Sequence, residues 1–146
     1  MNLNVNNFSI LLLIALYIPV LFLGLFDLDE GAFAATSLQM IKEQQFLVPI
    51  IGDDLRLEKP ILTYWIQAAS MMLWGTNEFA LRLPSILASL LWAFSFSKFI
   101  KRHHKNTSSS EIFLNLLTLP GVFIISFAAT ADAFLNLFIT LLMIEI

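Results

Sequence analysis

At 146 residues, with 58% hydrophobic and only 13% charged side chains and a positive mean hydropathy, the chain lies outside the range of a water-soluble globular domain, and the bilayer is its expected solvent. The net charge is −3, and the lysines and arginines form no stripe interleaved with aromatics, which argues against nucleic acid as a partner. Cysteine is absent, which excludes disulfides, thiolate nucleophiles and sulfur ligands and leaves oxygen or histidine to hold any metal.

Residues 8–26 form a charge-free apolar run of 19, close to the ~20 that a helix needs to cross a ~30 Å hydrocarbon core, and are expected to be the first span. A cleaved signal peptide is the rival reading. The run is long for one, has no preceding positive charge and shows no clear A-x-A site. Residues 79–100 make a second span, interrupted near its start by Arg82 and Pro84 and closed by Lys98, Lys101, Arg102 and Lys105. Residues 112–128 are expected to return as a third span, and residues 133–146 to begin a fourth that stops before it can cross. The chain is therefore expected to be a truncated piece of a longer protein, inactive alone. The predicted architecture is all-α and multi-span.

Charge sets the orientation. Residues 27–78 hold eight carboxylates against three basic side chains, whereas residues 98–110 hold four basic side chains and no acidic one. The positive-inside rule puts the basic loop and the N-terminus in the cytoplasm and the acidic loop outside, which in a Gram-negative cell is the periplasm. Within that loop Phe33, Ala34, Ser37, Leu38 and Ile41 form one stripe of a helix over residues 30–45, expected to lie on the membrane surface. Pro60 opens a second interfacial helix over residues 61–74, which Gly75 stops, with Tyr64, Trp65 and Trp74 at headgroup level. Asn77 is the expected N-cap of the span that follows.

Acidic groups converge on the outer surface at Asp29 and Glu30, at Glu58 beside Lys59, and at Asp132. Each also has an ordinary reading. Asp29 caps the surface helix, Glu58 and Lys59 are a solvated pair, and Asp132 competes with Thr130 to cap the fourth helix. An ionisable group between apolar spans is costly, which makes Asp132 the hardest to explain without a function. Arg82 is expected to snorkel outward as an interface anchor, His103 and His104 to be solvated cytoplasmic neighbours, and Met71 and Met72 to pack.

Asp29-Glu30, then Glu58-Lys59-Pro60 leading into Leu62-Thr63-Tyr64-Trp65, then Asn77-Glu78-Phe79 with Arg82-Leu83-Pro84-Ser85, and finally Thr130 to Asp132 together resemble the lipid A aminoarabinose transferases and their protein O-mannosyltransferase relatives. These are C-type membrane glycosyltransferases. The resemblance implies that Asp29 is the principal catalytic carboxylate with Asp132 a second acidic group near it. It implies that Lys59, with Glu30, binds substrate or phosphate, and that Glu58 helps hold a divalent cation. The metal's identity stays open: an oxygen-rich site favours magnesium or manganese, and histidine from further sequence would admit zinc. The family often carries an arginine three residues after the first aspartate, where this chain has Ala32. The implied donor is a sugar, aminoarabinose-like or a hexose, on a polyprenyl phosphate. The acceptor is lipid A, a protein or another envelope molecule, and the setting is the bacterial inner membrane among its lipids. The competing expectations are a non-catalytic membrane subunit, an inactive gene fragment and a secondary transporter.

Overall fold

A computed structural model of the chain describes residues 5–25, 28–104 and 107–145, which form seven helices and one short hairpin. Helix α1 (Val5–Val20) is apolar from Ile10 onward and stops one residue after Pro19. Its 16 residues reach about 24 Å at 1.5 Å each. Pro19 brings no N–H, and the chain leaves the helix through tight turns, with the amides of Leu21, Phe22 and Leu23 donating to the carbonyls of Ile18, Pro19 and Val20. The helix therefore ends six residues short of the expected boundary at Phe26, which itself lies outside the described residues.

Helix α2 (Leu28–Glu43) places Asp29 and Glu30 in its first turn and Lys42 in its last, both favourable to the helix dipole. Its buried face is Phe33, Thr36, Ser37 and Met40, while Ala34, Leu38 and Ile41 pack against Met71 of α3 and Ala80 and Leu81 of α4. The stripe expected on a membrane surface is thus taken up by neighbouring helices, because α3 presents a complementary apolar face beside it.

The hairpin β1 (Ile50–Ile51) and β2 (Asp54–Leu55) was not anticipated as an element, although a Gly-Asp pair between short apolar segments is a two-residue turn signal. Gly52 takes φ of 64°, a left-handed geometry that a side chain would strain. The amide of Gln39 on α2 holds this glycine from both sides: Nε2 donates to its carbonyl and Oε1 accepts from its N–H, each at 2.9 Å.

Helix α3 (Ile61–Trp74) has the bounds expected from Pro60 and Gly75. The glycine's N–H donates to Met71 O at 2.9 Å, and its φ of 86° ends the helix. Tyr64 is fully buried rather than at an interface, while Trp65 and Trp74 are exposed. Met71 is buried and Met72 is not.

Helix α4 (Glu78–His103) opens on Asn77, whose side chain accepts from the Ala80 amide at 2.9 Å, the cap expected from sequence. Its 26 residues measure about 39 Å, and among the described residues it is the one unbroken helix long and apolar enough to cross a membrane. The expected third span is instead two helices, α5 (Ser109–Thr118) and α6 (Pro120–Phe127), bent by 75°. Pro120 causes the break: it forces Leu119 into an extended conformation, ψ 130°, and serves as the first residue of α6. Helix α7 (Asp132–Glu145) follows, and its buried Ala133, Phe134 and Leu137 pack on Ala88 of α4. Ile146, the end of the expected fourth span, lies outside the described residues. Helix α4 is the central element, touching α3, α5, α6 and α7.

Candidate functional site

Asp29 and Glu30 are adjacent on α2, and a helix turns about 100° per residue, so the two side chains leave it in different directions. Glu30 faces in and is completely buried. Arg82 of α4, also completely buried, grips it in a bidentate pair, Nε to Oε1 at 3.0 Å and Nη2 to Oε2 at 2.9 Å. The same guanidinium donates to the carbonyls of Val20, Leu23 and Gly24, at and just beyond the early end of α1. Glu30 Oε1 also accepts from the Ala129 amide at 2.8 Å, the Ala129 carbonyl accepts from Gln67 Nε2 at 2.8 Å, and Gln67 Oε1 accepts from Ser37 at 3.0 Å. One polar network thereby joins the end of α1, helices α2, α3 and α4, and the joint between α6 and α7.

Two expectations change here. Arg82 does not snorkel to an interface, because Glu30 and three carbonyls satisfy it in the interior. Glu30 is turned away from any phosphate at the surface, with its oxygens accepting from Arg82 and Ala129; it ties elements together.

Asp29 faces outward and is 49% exposed. Lys59 Nζ lies 3.3 Å from its Oδ2, and Arg56 Nη2 lies 3.5 Å from its Oδ1. Arg56 in turn places Nε 3.1 Å from Glu58 Oε1. The expected residues Asp29, Glu58 and Lys59 therefore do converge, and Arg56 stands between them. The hairpin delivers Arg56, whose amide donates to Pro49 O at 2.9 Å, and its guanidinium lies over the Phe33 ring, 5.2 Å from the centroid. Lys59 Nζ lies 5.9 Å from the same centroid.

Tyr64 forms the floor against Phe33, their ring centroids 5.1 Å apart. Burial pushes the Tyr64 hydroxyl above its ordinary pKa, against the opposing pull of the Arg56 charge. Asp132 is exposed at the start of α7 and accepts from the Thr130 hydroxyl at 3.1 Å. Its neighbour Ala131 packs against Phe33, Met40 and Tyr64, which brings Asp132 to the same end of the bundle without a direct bond to Asp29 or Lys59 among the described residues. His103 bonds the Phe99 carbonyl of its own helix at 3.0 Å, and His104 is exposed, both away from the acidic cluster.

Sequence reasoning passed over Arg56. The hairpin signal at Gly52-Asp53 was the clue, since a turn there returns Arg56 toward α2.

The dolichyl-phosphate-mannose-protein mannosyltransferase family matches residues 58–145. The chain belongs to this family. Among curated relatives it is similar to undecaprenyl phosphate-alpha-4-amino-4-deoxy-L-arabinose arabinosyl transferases. That of Wigglesworthia glossinidia brevipalpis is 33% identical over 143 residues, 94% of this chain and 25% of the relative. That of Shewanella sediminis is 28% identical over 140 residues, 87% of this chain and 25% of the relative. A third, from Proteus mirabilis, is 29% identical over 140 residues, 91% of this chain and 24% of the relative. The chain thus spans about a quarter of the length of these relatives. No solved structure matches it.

The divalent cation implied by the resemblance meets a poor set of ligands in this segment. Among the described residues no three of histidine, aspartate and glutamate come together to hold a metal. Asp29 and Glu58 are already compensated by Arg56 and Lys59.

Proposed function

We propose that this chain forms the donor-phosphate end of a multi-span membrane glycosyltransferase that moves a sugar, aminoarabinose-like or a hexose, from a polyprenyl phosphate to lipid A or another envelope acceptor. The excess of carboxylates over basic side chains in residues 27–78, opposed by the basic run from Lys98, supports a periplasmic active face of the inner membrane. The observation that carries the reading is the half-exposed Asp29–Lys59 pair at 3.3 Å. It holds a carboxylate and an ammonium side by side at a surface where a lipid phosphate emerges.

In transfer, the bond between the sugar's anomeric carbon and the phosphate oxygen breaks, and negative charge collects on the departing phosphate. Lys59, one-third exposed, turns its ammonium to that charge and stabilises it more in the transition state than in the ground state. Asp29, relieved of Lys59, receives the proton of an acceptor hydroxyl as its oxygen bonds to the anomeric carbon. A phosphate acceptor needs only to be oriented. Asp132 stands beside this cluster as a second carboxylate for the acceptor side. No step is routed through a metal.

Asp29→Asn in the full-length protein, assayed in membrane vesicles for transfer from undecaprenyl-phosphate-linked aminoarabinose to lipid A, is expected to lower the rate by roughly 10²–10⁴-fold. An unchanged rate would remove Asp29 from the mechanism and the proposal with it.

A further inference from the structure

The resemblance implies a divalent cation at Glu58, and a guanidinium already stands between Glu58 and Asp29. Building on the transferase reading, we infer that Arg56 takes the place of a divalent cation between Asp29 and Glu58 and is the positioning residue that holds both carboxylates. Its Nη2 lies 3.5 Å from Asp29 Oδ1 and its Nε 3.1 Å from Glu58 Oε1, ion pairs without hydrogen-bond geometry, so one delocalised charge stands within reach of both carboxylates.

The charges of the cluster balance. Two carboxylates face Arg56 and Lys59, and a divalent ion placed among them leaves two uncompensated positive charges unless Arg56 departs. Departure is costly. The Arg56 side chain is only 7% exposed, lies over Phe33, and extends from a backbone held by Pro49, in a hairpin whose turn Gln39 clamps.

Fixing one cation frees the other. Lys59 is 33% exposed and leaves Asp29 for the donor phosphate, while Arg56 keeps the carboxylate in place and its charge compensated. Ala32 fits this division: the face of α2 beside Asp29 carries no cation of its own, and Arg56 reaches across Phe33 from the hairpin to supply one.

The test uses the full-length protein in nanodiscs, with Mn²⁺ as the probe. Binding of Mn²⁺, read by electron paramagnetic resonance, is expected to be the same in the wild type and in Glu58→Gln. In the transfer assay Arg56→Gln is expected to lose about 10²-fold in kcat with KM for the donor little changed, and guanidinium ion added to the assay to restore part of it. Arg56→Lys keeps the charge but cannot span both carboxylates, and is expected to fold as the wild type does and to lose a similar fraction of kcat. A wild-type Mn²⁺ signal that Glu58→Gln abolishes overturns the inference, as does an Arg56→Lys enzyme with unchanged kcat. The Mn²⁺ arm needs no transfer activity, so it decides the role of Arg56 even where the wild type fails to transfer aminoarabinose.

Discussion

Two carboxylates one residue apart meet opposite surroundings. Glu30 is sealed in the interior and shared between Arg82 and the Ala129 amide, whereas Asp29 stands half in solvent between Lys59 and Arg56. The buried site joins five parts of the chain; the open site joins the start of α2 to one short hairpin and the segment after it. Charge pairing therefore serves two ends here. In the interior it fixes how elements meet, because a buried charge without its partner is far costlier than the pair is favourable. At the rim it costs little to break, as the proposed exchange of Lys59 between Asp29 and a donor phosphate requires.

The contrast is most exposed to disproof at Arg82. Arg82→Ala leaves Glu30 buried without that guanidinium and removes its bonds to the Val20, Leu23 and Gly24 carbonyls, and is expected to destabilise the fold by about 3–5 kcal/mol in mixed-micelle unfolding. A loss no greater than that of a rim substitution would erase the distinction between the two sites.

Removing the Asn77 cap touches neither site and calibrates the scale. Asn77→Ala is expected to cost about 1 kcal/mol in the same assay through the lost bond to Ala80. Lys59→Ala sharpens the comparison from the other side: it should change stability by less than about 1 kcal/mol, yet lower kcat for transfer from the polyprenyl-phosphate donor in the full-length protein. A larger stability loss than at Asn77 would make the rim structural.

The smallest effect is a slope at high pH. The folded Tyr64 keeps its proton above the pH, about 10, at which the unfolded chain releases it. Over that interval the unfolded state binds fewer protons, so stability falls as pH rises from about 10 toward the raised folded value, and is untouched by Tyr64 below it. Tyr64→Phe should remove that part of the decline, read as unfolding midpoint against pH.

Local chemistry made much of the chain legible from sequence. Pro60 and Gly75 bound α3 and Asn77 starts α4, because caps and breakers act within a few residues of themselves, whereas α2 starts two residues before the expected Glu30, with Asp29 inside its first turn rather than capping it. The break at Pro120 was equally local, and treating residues 112–128 as one apolar run concealed it. The meeting of Asp29 with Glu58 and Lys59 was legible only through the resemblance; periodicity and spacing placed them on one surface and no closer.

What tertiary structure alone decided was direction. Composition shows that Arg82 is an expensive charge in an apolar chain, but the side on which it finds compensation depends on where α1 ends and which face of α2 turns inward. Those are long-range facts: Glu30 lies 52 residues from Arg82 and 99 from Ala129 in the chain. The sequence by itself determined that charges this costly need partners, and only the packing of α1, α2 and α4 determined that Glu30 would be one of them while Asp29 would face outward.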